Sequence, residues 1–240
     1  TLILCGDTPL VRAQDLTDLL QALNVAGQEL SFLTALLDVP FGYGRVLRDA
    51  AGAVTEVREH RDLRSDAERA IREVNAGMYA ADTEKLRTAV AALQPNNAQG
   101  EYYLTDIIQS FAKFSRVAGV QGHPEALLGV NDRNDLSRAE ELMFARHREQ
   151  HRKAGVTVHG DARIDSGVQI AEDATMGAGV SLRGRTTLGA GTRVDVGSIL
   201  TDAKIGTGVE IKPYCVISQS SVGDGAQLGP FAHLRPDSEI

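Results

Sequence analysis

Asp7 is the first side chain in this sequence from which chemistry can be built. It stands in Gly6-Asp7-Thr8-Pro9, which closes the apolar run Leu2 to Cys5. A carboxylate just beyond the C-terminal end of a strand lies where open α/β sheets bind ligands, although Asp-Thr-Pro is also an ordinary turn sequence. Gly42-Tyr43-Gly44-Arg45 offers backbone that a ligand can approach closely, or simply a flexible loop with an aromatic in it. Glu59-His60-Arg61-Asp62 carries acid/base groups, yet a mixed charged run after a strand also reads as a solvated edge, and His60 reads as structural. Asn75-Ala76-Gly77 and Asn96-Asn97-Ala98-Gln99-Gly100 supply amides suited to sugar hydroxyls, or turn geometry. Asn131-Asp132-Arg133-Asn134 offers oxygen ligands for a hard cation, or a helix entry.

The elements that must position these groups follow from hydrophobic pattern. Leu2 to Cys5 reads as a short buried parallel strand, and Leu16, Leu19, Leu20 and Leu23 line one face of a helix that stops near Gly27. Leu30 to Leu37 is a second buried strand, followed by a Pro- and Gly-containing loop from Asp38 to Gly44. Arg45 to Arg48 and Val54 to Arg58 form a strand pair around the turn residues 50–53, and helices are expected over Asp82 to Leu93 and Thr105 to Ser115. Strands alternating with helices argue for an α/β sheet with helices on both faces. Around residue 136 the pattern changes. Ser137 with Glu140 has the spacing of a capping box, and a helix is expected to run to Gly155. Arg146, His147, Arg148, His151, Arg152 and Lys153 crowd its end, where cations complement the helix dipole.

After Gly155 a six-residue period takes over. Val158, Ile164, Ile170, Met176, Leu182, Leu188, Val194 and Leu200 are spaced by six; the register drops one residue to Ile205, Ile211 and Ile217, and again to Val222, Leu228, Leu234 and Ile240. Such a series predicts a parallel β-helix with one branched aliphatic per side pointing to the axis and three hexapeptides per turn. Gly, Asp, Asn and Ala after the aliphatics suit the corners.

Composition narrows the function classes. The 240 residues carry 32 acids against 25 bases, a formal charge of −7, so no global positive field draws in nucleic acid or an anionic membrane. Cys5 and Cys215 are the only cysteines and form no CxxC or Cys/His cluster, which points away from disulfides and zinc and toward a reducing, cytoplasmic setting. No apolar stretch approaches the roughly 20 residues that span a bilayer. The chain starts at Thr1 with a strand pattern and no initiator Met, and reads as a fragment.

Taken in order, Cys5-Gly6-Asp7-Thr8-Pro9-Leu10, Gly42-Tyr43-Gly44-Arg45-Val46, Val57 to Asp62, Asn96-Asn97-Ala98-Gln99-Gly100-Glu101-Tyr102-Tyr103-Leu104-Thr105-Asp106-Ile107, Gly129 to Arg133 and Gly229-Pro230-Phe231-Ala232-His233-Leu234-Arg235-Pro236 are much more specific than any one alone. They resemble the bifunctional bacterial N-acetylglucosamine-1-phosphate uridyltransferase/glucosamine-1-phosphate acetyltransferases, through essentially the whole chain. The resemblance implies a partial Rossmann-like α/β nucleotidyltransferase domain (1–135), a linker helix (136–155) and part of a left-handed parallel β-helix of hexapeptide repeats (156–240). It implies a homotrimer assembled through the β-helix, and small-molecule partners: sugar phosphates and a nucleotide, with acetyl-CoA and UTP as co-substrates.

Matched residue by residue, the resemblance puts Mg²⁺ on Asp7 and Asn131, lines the nucleotide side with Cys5 and Gly6, and gives the N-acetylglucosamine moiety to Gly44, Glu59 and Asn75. Arg235 matches a sugar-phosphate-binding Arg of the acetyltransferase site. The family's glycine-rich phosphate loop is expected before Thr1 and its acetyltransferase base, a His, beyond Ile240, so a catalytic residue within 1–240 stays unassigned and the fragment alone is expected to be inactive. His233 stands where an Arg is common and Asp237 where Gly is usual. Two alternatives remain open: a monofunctional sugar-1-phosphate nucleotidyltransferase with an oligomerising β-helix, and a non-catalytic trimerisation module.

Overall fold

The computed structural model describes all residues, Thr1–Ile240, as two compact units, 1–139 and 140–240. In the first unit the chain order is β1 (Leu2–Ile3), α1 (Ala13–Leu23), β2 (Gln28–Leu36), β3 (Arg45–Arg48), β4 (Val54–Arg58), α2 (Asp66–Arg69), β5 (Glu73–Ala81), α3 (Thr83–Ala91), α4 (Asp106–Ala112), β6 (Arg116–Gln121) and the start of α5 (Arg133–Lys153). One six-stranded mixed sheet runs β4-β3-β5-β2-β6, with β1 on β5. Strands β2 and β6 are parallel; β5 runs antiparallel to both β1 and β2.

The period-two alternation of the strands feeds two cores. Leu30, Phe32, Tyr79 and Ala81 pack with Leu86, Ile107, Ile108 and Phe111 of α3 and α4. Leu33, Ala35, Val74, Ala76, Met78 and Ala80 pack on the opposite face with Leu19 of α1. Helices therefore cover both faces, and the β3–β4 hairpin pairs where its sequence places it, Arg45↔Arg58 to Arg48↔Val54.

Three local readings change. The run at Leu2 pairs antiparallel with β5, through Leu2↔Ala80 and Ile3↔Tyr79, and its other edge is free, so Leu2 and Leu4 stay 40% and 48% exposed instead of buried. Asn75-Ala76-Gly77 is not a loop. It lies inside β5, the central strand, where Gly77 takes φ +75° and the β2 register shifts between Phe32 and Thr34, a bulge that lets Asn and Gly sit in a ladder. Finally, α5 begins at Arg133, with the Asp132 carboxylate accepting from the N–H groups of Asn134 and Asp135 at 2.8 and 2.9 Å. Asp132 is thus the cap, and Ser137 and Glu140 lie within the helix.

The second unit is a parallel β-helix of three faces. One stacks Thr157–Val158, Thr175–Met176, Arg193–Val194, Glu210–Ile211 and Gln227–Leu228; a second stacks Arg163–Ile164, Ser181–Arg183, Ile199–Thr201, Val216–Ser218 and His233–Leu234; the third stacks Gln169–Ile170, Thr187–Leu188, Lys204–Ile205 and Ser221–Val222. Its three-sided stack is consistent with the left-handed hexapeptide coils that the family resemblance implies. The six-spaced aliphatics face inward: Ile164, Met176, Leu182, Val194, Leu200, Ile211 and Ile217 are all 0% exposed. Early coils are 18 residues long (Thr175↔Arg193) and later ones 17 (Arg193↔Glu210). The residue is lost at the corner after the second face, where Gly184, then Asp202 and Gln219, take positive φ.

A second inward ladder, two residues before each aliphatic, is not visible in the aliphatic period. It carries Ala162, Ala174, Val180, Thr186, Thr192, Ser198, Ala203, Val209 and Cys215, buried to 1% or less. Its hydroxyls staple successive coils. Thr192 donates to the Gly206 carbonyl at 2.8 Å and accepts from the Val209 N–H, and Ser198 does the same with Lys212 and Cys215. These bonds satisfy corner backbone that no ladder reaches.

The cations of α5 also have a more specific role than complementing the dipole. Thr157 and His159 donate their N–H groups to the second coil, which turns the carbonyl of Val158 between them toward the free end of the stack. Arg152 donates to that carbonyl, Arg148 to that of Ala162, and His147 Nδ1 lies 2.6 Å from that of Ile164. The helix end thereby covers the open edge of the first coil.

Candidate functional site

The segments singled out at Cys5, Gly44, Glu59 and Asn75 meet beside the central strand. Gly44, ending the Asp38-to-Gly44 loop, accepts the Asn75 N–H on its carbonyl at 3.0 Å. A Cβ at Gly44 would stand 2.8 Å from Val57 Cγ1 and 3.3 Å from both Glu59 carboxylate oxygens, so only glycine lets this backbone lie against Glu59. Asn75 donates to the Tyr79 hydroxyl at 2.8 Å and accepts from the Gly77 N–H at 3.1 Å. Cys5 closes the chain of contacts, its thiol donating to the Gly77 carbonyl at 3.3 Å. At Gly77 a Cβ would meet Cys5 Sγ at 2.8 Å, and its positive φ also excludes a side chain.

The electrostatics of this group are acidic. Burial pushes the Glu59 carboxyl above the usual carboxylate range, Asp106 and Asp62 add to the rise, and the Thr105 hydroxyl, donating at 2.9 Å, opposes it. Burial raises the Tyr79 phenol further, keeping it a neutral donor and acceptor. The Cys5 thiol is also raised, first by burial and then by the charge of Asp7. The group thus gathers a carboxylate, a carboxamide and hydroxyls, types that can accept from and donate to several hydroxyls.

Asp7 and Asn131 form the adjacent part. The Val130 N–H bonds the Asp7 carbonyl at 2.8 Å, which pins the two segments together. Gly129 keeps the space between them open: a Cβ there would stand 3.4 Å from Asp7 Oδ2 and 3.8 Å from Asn131 Nδ2. The Asn131 backbone N–H and amide both donate to Asp135, at 3.0 and 3.3 Å, and those bonds hold the Asp135 carboxyl below its usual range. The carbonyl oxygen of Asn131 remains as a free acceptor. One carboxylate and one amide oxygen, with no cluster of three or more His, Cys, Asp or Glu, match a hard cation that keeps water or ligand oxygens rather than a full protein cage. Gly6, between Cys5 and Asp7, faces open space, and a Cβ there would meet nothing within 4 Å.

The structure thus brings Cys5, Gly44, Glu59 and Asn75 together and sets Asp7 and Asn131 beside them. Arg235 is not among them; it lies in the β-helix unit, where its carbonyl accepts from the Ser220 and Ser238 hydroxyls. Two residues were missed. Thr105, 6% exposed, stood at the start of a helix pattern inside the most specific matching segment, whereas Tyr79 lay in the unread strand β5. A cavity of about 730 Å³ between the β3–β4 turn and β6 contains none of these residues.

No family model matches the chain. Among curated proteins it is 52% identical over 241 aligned positions to the "Bifunctional protein GlmU" of Sorangium cellulosum, and 48% to that of Anaeromyxobacter dehalogenans. Both matches cover the whole chain, and 51% and 49% of the relatives. The GlmU protein of Caldanaerobacter subterraneus matches at 40% over 65% of the chain and 34% of its own length. The chain spans about half the length of the curated relatives it matches over its full extent. The match runs through both the mixed α/β sheet and the parallel β-helix, so the chain is similar throughout to about half of a GlmU protein.

Proposed function

We propose that the whole protein makes UDP-N-acetylglucosamine in two steps: acetylation of glucosamine-1-phosphate by acetyl-CoA in the β-helix half, and transfer of UMP from UTP to the product in the α/β half. The observation that carries this reading is the cluster in which Gly44, Glu59 and Asn75 meet, linked through Gly77 and Cys5 to the segment of Asp7, which in turn lies against Gly129 and Asn131. Glu59 and Asn75 accept and donate hydrogen bonds to the sugar hydroxyls and amide, and the Gly44 backbone approaches them with no side chain intervening. Cys5 and Gly6 line the nucleotide side. The sugar phosphate oxygen attacks the α-phosphorus of UTP and pyrophosphate leaves, so the protein's task is to hold the two in line and to balance charge. Mg²⁺, on the Asp7 carboxylate and the Asn131 amide oxygen, would offset the charge that develops on the phosphoryl oxygens. In the β-helix, Arg235 is proposed to hold the phosphate of the amino sugar.

The same reading makes 1–135 the uridyltransferase part, 136–155 a linker helix and 156–240 the β-helix part, assembles the β-helix as a homotrimer, and places the enzyme in the cytoplasm with small-molecule partners. No helix is long and apolar enough to cross a membrane. The test uses the full-length protein. Formation of UDP-N-acetylglucosamine from UTP and N-acetylglucosamine-1-phosphate is expected to fall at least about a hundredfold in Asp7→Ala, the order of loss seen when a transition-state charge stabiliser is removed. Unchanged turnover would overturn the assignment. Acetyl-CoA consumption with glucosamine-1-phosphate tests the second step, and its absence would leave a monofunctional nucleotidyltransferase.

A further inference from the structure

Arg45 is the one arginine whose side chain sinks almost wholly into the α/β unit: the residue is 2% exposed, and no carboxylate lies within ion-pair distance of it. Its Nε is buried with no partner. A buried charge without a counter-charge is expensive, and a well-packed apolar residue is often the more stable choice at such a place. The hydrogen bond that Arg45 does make, from Nη1, goes to the Tyr43 carbonyl two residues back. Tyr43 sits between Gly42, at φ +87°, and Gly44. Glycines on both sides give this stretch more freedom to lose than any other pair would, yet Gly44 cannot be replaced, because a Cβ would strike Val57 and crowd Glu59. All three polar groups of Tyr43 are engaged: the carbonyl by Arg45, the N–H by the Pro40 carbonyl at 3.3 Å, and the hydroxyl by the Leu127 carbonyl at 3.4 Å. Leu127 lies two residues before Gly129, where the Asp7–Asn131 space opens.

We infer that Arg45 and Tyr43 are positioning residues for the sugar pocket. The Arg45 guanidinium clamps the Tyr43–Gly44 peptide against Glu59, and the Tyr43 hydroxyl ties that edge to the Leu127–Asn131 segment. The clamp removes in advance the conformational freedom that a glycine flanked by a loop would otherwise lose on binding. That the pocket takes an amino sugar rests on the function proposed above; the clamp itself does not.

The test uses the full-length protein with Arg45→Met, Arg45→Lys and Tyr43→Phe. Amide hydrogen exchange at residues 41–44 is expected to accelerate at least about tenfold in Arg45→Met while the β3–β4 hairpin amides keep their protection, the pattern of a released loop in an intact sheet. Unchanged exchange at 41–44, or a rise spread evenly over the sheet, would overturn the clamp. Titration with N-acetylglucosamine-1-phosphate is expected to show at least about tenfold weaker binding in Arg45→Met, partial recovery in Arg45→Lys, whose ammonium can still reach one carbonyl, and an intermediate loss in Tyr43→Phe. Equal affinity in all four proteins would overturn the role in positioning. No binding by the unaltered chain, with the exchange result as expected, would sink the sugar assignment and leave the clamp standing.

Discussion

Gly44 and Glu59 constrain each other, and each yields a test. Gly44→Ala forces a methyl into the 2.8 Å gap to Val57; overpacking of this kind costs about 1–3 kcal/mol. The substituted chain is expected to unfold at correspondingly lower denaturant and to lose sugar-phosphate affinity, both readable on one sample. Glu59 is held above its ordinary range, chiefly by burial. The folded protein then keeps a proton that the unfolded chain would release, so Glu59 lowers stability as pH rises through the ordinary carboxylate range and beyond. Glu59→Gln keeps the shape and the acceptor for Thr105 without the charge. It is expected to raise the neutral-pH melting temperature and to weaken sugar binding, a trade that a purely structural glutamate would not show. Calorimetry with and without N-acetylglucosamine-1-phosphate separates the two effects.

Among the elements, the second inward ladder of the β-helix gives a clean comparison. Thr192→Val preserves the shape but leaves the Gly206 carbonyl and Val209 N–H without their buried partner, at about 1–3 kcal/mol. Thr157→Val, on an exposed position, is expected to cost nearly nothing, and urea midpoints of the two variants check this. The α5 cap is expected to be acid-sensitive. Burial, and then the charge of His147, hold His151 below the ordinary 6.5, so the unfolded chain binds the proton first. The stability from neutral His151 is fully present above that value and is lost as pH falls through it. Amide protection factors in residues 157–164, which remove the intrinsic pH dependence of exchange, should therefore fall as pH drops below the ordinary imidazole value in the parent chain and much less in His151→Phe. How legible these elements were follows their chemistry. The β-helix could be read because each coil repeats one aliphatic choice, and the β3–β4 hairpin because its two runs flank a turn. Strand β5 could not, since Asn75, Gly77 and its alanines have little strand propensity and are held by neighbours on both sides that are distant in sequence. With β5 went Tyr79. The pocket residues Gly44, Glu59 and Asn75 were legible through resemblance to a family, because their separation in the chain gives no local sign that they meet.

At the scale of the molecule, the proposed homotrimer predicts a sedimentation mass near three protomers for the full-length protein, and a mass near one would count against it. The two units differ in how they can vary. The α/β unit is an open mixed sheet whose central strand, once displaced, takes the site residues with it. By contrast, each coil of the β-helix contacts only the coils before and after it, and its first coil is already sealed by Arg148, Arg152 and His147. That one-sided seal makes the element a ruler that can be lengthened without being reopened. A duplicate of the 17 residues 193–209, inserted after Val209, brings every aliphatic back over the axis and every hydroxyl over its corner, and should leave a folded chain one coil longer. An insertion of six residues rotates all later faces by a third of a turn, so the ladder beyond it is matched to the wrong side. Coil-sized duplication is thus the step by which such a domain can grow, and soluble expression of the two insertions would show it.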